Sequence, residues 1–84
     1  MKHAGEETLA ALSGLLSQLR QIPGLKEKKH GTFYRAGAAF LHFHEDPAGI
    51  FADLKIDGAW QRFNATTADD QKRLLIAART KAVL

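Results

Sequence analysis

Residues 38–64, AAFLHFHEDPAGIFADLKIDGAWQRFN, decide how this chain folds. Asp46-Pro47-Ala48-Gly49 is its strongest turn signal, because proline presets φ at the second turn position and glycine favours the last. Asp57-Gly58 is the pair that a type I′ hairpin needs, with both residues able to take positive φ. Between these turns, Ile50 to Ile56 alternates Ile, Ala, Leu and Ile with Phe, Asp and Lys, the period-two pattern of a half-buried strand. Residues 38–45, 50–56 and 59–64 are therefore expected to be consecutive antiparallel strands.

Upstream, Thr32-Phe33-Tyr34-Arg35 has the aromatic and β-branched character of a further strand, joined to the next by a turn at Ala36-Gly37. Residues 25–31 are basic and read as a loop too polar to pack. From Glu6 to Ile22, leucines at 9, 12, 15, 16 and 19 follow helical spacing, with Glu6 and Glu7 suited to the first turn and Pro23-Gly24 ending the helix. Downstream, Thr67 followed by Asp70 resembles an N-cap with an acid in the first turn. Leu74, Leu75, Ala78 and Ala82 then line one face of a helix over 68–82. The expected fold is α+β in one domain over 1–84: helix, four-stranded antiparallel meander, helix.

The chain has 84 residues, with 45% hydrophobic and 25% charged, an ordinary globular balance. Its length excludes two independent domains and buries only roughly 60–65% of the unfolded surface. Cysteine is absent, so no disulfide supports the core and any metal site must use His, Asp or Glu. Met1-Lys2-His3 opens no signal-like apolar stretch, and Leu74 to Ala78 is the longest apolar run, so a cytoplasmic location and no membrane partner are expected. The net charge of +3 is a mild excess. Its clusters, Lys26, Lys28, Lys29 with His30 and Lys72, Arg73, Arg79, Lys81, read first as solvated faces and second as an anionic-surface footprint.

The turns align the strands, and facing follows with period two. Pairing Arg35 with Ala38, Glu45 with Ile50 and Ile56 with Ala59 places Thr32, Tyr34, Ala39, Leu41, Phe43, Ile50, Ala52, Leu54, Ile56, Ala59, Gln61 and Phe63 on the helix-covered face. The opposite face then carries Phe33, Phe40, Lys55 and Trp60 in one lane, His42, Asp53 and Arg62 in the next, and His44, Phe51 and Asn64 in a third. A five-residue loop placing His44 opposite Ile50 is the rival. It would bring Phe40 and His42 to the apolar face and expel Leu41 and Phe43, so the first alignment is preferred.

That opposite face holds the candidate chemistry. Histidines at 42 and 44 point to one side of a strand and can reach one divalent metal, with Asp53 beside His42 as an oxygen ligand. His42-x-His44-x-Asp46 resembles part of the metal motif of metallo-β-lactamase-fold hydrolases. Pro47, however, stands where that family has its next histidine, and the chain is too short for the fold. His42 with Asp53 could also hold a proton for acid–base work, but no nucleophile is placed near them, and an enzyme is the lesser expectation. No glycine spacing suits a phosphate loop, so no nucleotide cofactor is indicated.

Gly31-Thr32-Phe33-Tyr34-Arg35, Phe40 to Gly49 and Ala52-Asp53-Leu54 resemble a family of short bacterial hypothetical proteins over residues 22–82. That resemblance implies a bacterial, cytoplasmic protein and no mechanism. The element order is also loosely similar to YjbR-like domains, with no motif matched and no residue carried over.

The first functional expectation is a small interaction domain that dimerises through the sheet face of Phe40, His42, His44, Phe51, Asp53, Lys55, Trp60 and Arg62, because four exposed rings exceed what a soluble monomer leaves in water. The alternatives are a divalent metal on His42, His44 and Asp53, and single-stranded nucleic acid stacked on the rings with Lys55 and Arg62 on phosphate.

Overall fold

In the computed structural model, which describes residues 2–82, the hairpins expected on either side of residues 50–56 both form in the expected register. Strands β4 (Ala38–Asp46), β5 (Gly49–Ile56) and β6 (Ala59–Asn64) pair antiparallel, with Leu41 opposite Leu54, His42 opposite Asp53 and Asp53 opposite Arg62. Asp57 and Gly58 have φ of 52° and 83°, the left-handed pair of a type I′ turn. The first turn is one pair tighter than its sequence suggests, because Asp46 pairs with Gly49 and leaves Pro47-Ala48 at the tip. Gly49 sits at φ 143°, and a Cβ there would meet Thr66 Oγ1 at 2.5 Å. That close approach lets Thr66 Oγ1 accept a hydrogen bond from the Ile50 N–H at 2.9 Å.

The structure is α+β as expected, with more strands than the sequence revealed. The sheet runs β2 (Leu25–Lys29), β3 (Thr32–Arg35), β4, β5, β6, and β1 (Lys2–His3) pairs with the far half of β4. The stretch read as a basic loop is thus largely β2: its lysines stay exposed while the backbone pairs with β3. On one edge of β4, β3 covers residues 38–42 and β1 continues with His3 opposite His44 and Lys2 opposite Glu45.

The β3–β4 ladder corrects the expected facing. Arg35–Ala38 and Tyr34–Ala39 pair as expected, but Phe33 then pairs with Leu41, so Phe40 is an extra residue in a β-bulge. Phe33 and Phe40 turn into the core at 0% and 5% exposure, and Thr32, Tyr34 and Ala39 take the other side. The energetics favour this outcome. Burying two phenylalanines contributes about 2–3 kcal/mol each, against roughly 0.5–1.5 kcal/mol for the ladder hydrogen bond a bulge disrupts.

Helices cover only that apolar side. The first helix is not continuous from Glu6 to Ile22: α1 (Glu6–Ala11) and α2 (Ser13–Arg20) meet at Leu12, with φ −96° and ψ 12°, next to Ser13-Gly14 where a kink is cheap. Their leucines pack with Leu74, Leu75 and Ala78 of α3 (Ala68–Ala82) against Phe33, Phe40, Leu41, Phe43 and Leu54. Thr67 caps α3 as expected, its Oγ1 accepting from the Asp70 N–H at 3.1 Å while Asp70 Oδ2 accepts from the Thr67 N–H at 3.3 Å. Among the described residues, no helix is long and apolar enough to cross a membrane.

Candidate metal centre

The uncovered sheet face is centred on β4, where period two directs His42 and His44 to the same side. The β1 pairing adds a third imidazole, because His3 lies directly opposite His44. Ring centroids are 4.7 Å apart for His42–His44, 4.9 Å for His3–His44 and 5.7 Å for His3–His42. One ring nitrogen from each can be chosen so that all three lie within 4.8 Å of one another. Trp60 makes a T-shaped contact with His42 at 4.7 Å between ring centroids, and the Lys55 ammonium lies over the indole, 4.8 Å from its centroid.

Asp53 faces His42 across the β4–β5 ladder as expected, but its carboxylate is engaged elsewhere. Arg62 donates to it from Nε at 2.9 Å and from Nη2 at 3.0 Å, a bidentate pair. His44 Nε2 is 2.9 Å from Asp53 Oδ2, close enough for an ion pair if the ring is protonated but off the line of a good hydrogen bond. The Arg62 guanidinium holds the Asp53 carboxyl below the usual carboxylate range, against the opposing effect of burial. Asp53 is therefore an anion at neutral pH.

Burial pushes the His42 imidazole below its ordinary pKa, and repulsion from His44, His3 and Arg62 adds to this while Asp53 opposes it. The neutral ring that results is the ligand form of histidine. Among the described residues, Nδ1 of His42 and both ring nitrogens of His44 are buried and have no hydrogen-bond partner. Each such orphan costs about 1–3 kcal/mol unless something satisfies it.

The donor set fits a borderline metal ion. Zn–N bonds of about 2.0–2.1 Å in tetrahedral geometry put ligand nitrogens roughly 3.3 Å apart. The widest separation here is 4.8 Å, so the rings must draw together by about 1.5 Å. His3 is exposed and sits on a strand of only two residues, so the movement can come from that side.

Of the residues singled out from the sequence, His42, His44, Phe51, Asp53, Lys55, Trp60 and Arg62 share this face, and Phe40 does not, because the bulge turns it inward. Asp53 flanks the histidines rather than completing a triplet with His42 and His44, its oxygens being committed to Arg62 and to the His44 contact. His3 escaped the sequence reading: a two-residue strand is too short to show alternation, and nothing near Lys2-His3 announces a partner some forty positions away. No family model, curated protein or solved structure matches this chain.

Proposed function

We propose that this protein binds a divalent transition-metal ion through His3, His42 and His44. The observation that carries the reading is the convergence of three imidazoles with three buried ring nitrogens that have no hydrogen-bond partner among the described residues. An all-imidazole set suits zinc, copper or nickel rather than magnesium or calcium, which prefer oxygen. Asp53, anchored by Arg62, lies 2.9 Å from His44 Nε2, where a small rotation of the ring would let this carboxylate orient His44 from behind, the usual support of a metal-bound histidine. Three protein ligands leave a coordination position for water, as sites with exchangeable ligands do.

Self-association through the sheet face has less support than the sequence suggested. Two of the four rings expected there, Phe33 and Phe40, are in the core, leaving Trp60 at 45% exposure and a half-buried Phe51.

Calorimetric titration of zinc into chelator-treated protein carrying no polyhistidine tag tests the proposal. A single site with Kd on the order of micromolar or tighter is expected. Loss of at least tenfold in affinity is expected in His3→Ala, His42→Ala and His44→Ala alike, with a fall of roughly 10–100-fold in Asp53→Asn. Absence of heat together with unmoved histidine resonances would overturn it, and binding unaffected by His3→Ala would remove His3 from the site.

A further inference from the structure

The two edges of the sheet are treated differently. At one edge, β2 carries Lys26, Lys28 and Lys29 and a register shift between Glu27 and Lys29, devices that discourage another strand from adding. At the other edge, β6 has no proline, no lysine and no bulge, and all of its residues except Phe63 are exposed. Its single charge, Arg62, is already paired with Asp53. A regular, unguarded edge strand is a template for strand addition.

The phase of its free groups follows from the turn. In a type I′ hairpin the Ala59 N–H donates back across the turn to Ile56, so Ala59, Gln61 and Phe63 direct their backbone groups to β5. The next odd-numbered residue agrees, since the Ala65 N–H donates to the Ile50 carbonyl at 2.8 Å. Trp60, Arg62 and Asn64 therefore direct theirs to the open edge.

We infer that β6 pairs antiparallel with β6 of a second copy of this chain, about a two-fold axis at Gln61. This register places Gln61 opposite Gln61 of the partner subunit as a pair without ladder hydrogen bonds. The flanking Trp60 and the partner's Arg62 then exchange both N–H···O bonds, and the symmetric pair does the same. On the open face each guanidinium lies against an indole, a favourable cation–π pairing. On the helix face Ala59 meets the partner's Phe63. Facing is preserved only in registers centred on a residue. Centring on Arg62 instead would oppose two guanidinium groups, and centring on Trp60 would shorten the overlap. The second copy is the occupant because β6 is complementary to itself in the Gln61 register.

This pairing is independent of metal and is tested with chelator present. Sedimentation equilibrium of the wild type from about 10 µM to 1 mM should show a monomer–dimer equilibrium, with Kd on the order of 10–100 µM for so small an interface. Gln61 is exposed and lies outside the histidine cluster, so Gln61→Glu and Gln61→Lys probe the axis without touching it. Each variant alone places like charges together and should be monomeric across that range. An equimolar mixture should recover a dimer at least as tight as the wild type, and the variants' unchanged circular dichroism would show that the fold survives. A wild type that remains monomeric at 1 mM, or a dimer that persists in both single variants, overturns the assignment.

Discussion

Truncating Phe33 to alanine tests the bulge that determines what the open face is made of. Phe33 is fully buried and pairs with Leu41. Removing a phenylalanine from a packed core costs about 3–5 kcal/mol, the lost transfer energy plus the cavity left behind. A chain of 84 residues has a total stability of about 4–13 kcal/mol at typical per-residue values. Phe33→Ala should therefore lose a large share of the folding free energy and, at the lower end of that range, unfold at 25 °C. A ladder without the bulge would put Phe33 beside Phe40 on the open face, where truncation would change stability by only about 0.5 kcal/mol. Urea denaturation followed by circular dichroism separates these outcomes, and Phe33→Leu, at about 1 kcal/mol, keeps a measurable transition if the alanine variant does not fold. A Phe33→Ala midpoint corresponding to less than 1 kcal/mol of loss, at an unchanged denaturant slope, would refute the bulged arrangement.

Two further outcomes are expected. Thr67→Ala should cost about 1 kcal/mol in the same urea assay, because it removes the acceptor for the Asp70 N–H at the start of α3. Glu27 is held below the usual carboxylate range chiefly by its hydrogen bond from Arg20 and also by the Gly31 N–H. Its contribution to stability is therefore present above the unfolded-state pKa and is lost as pH falls through the lower folded-state value. Glu27→Gln should flatten the acid limb of the stability curve below the unfolded-state pKa of glutamate, measured by urea midpoints at fixed ionic strength.

The parts of the candidate site legible in the sequence are those set by local geometry. Asp46 to Gly49 and Asp57-Gly58 specify turns within a few residues, and turn length determines register, so the row His42, Asp53, Arg62 could be read by counting. The partner of Asp53 could not. A bidentate, charge-assisted bond from Arg62 outcompetes a neutral imidazole for the same carboxylate, and that competition depends on side-chain reach rather than on register.

The sequence by itself determined the α+β class, the hairpins of β4 to β6, the cap of α3 and the facing of His42 with His44, because each follows from contacts between residues near one another in the chain or joined by a short turn. Tertiary structure alone decided the rest. Lys26 to Lys29 form a strand because the edge of β3 supplies hydrogen bonds that the lysines' own β propensity would not secure. Phe40 bulges because the core under it gains more from two buried rings than the ladder loses. His3 joins the histidine cluster because β3 ends at His42 and leaves the remaining edge of β4 open for β1, an opportunity created by strand lengths and invisible in either segment alone.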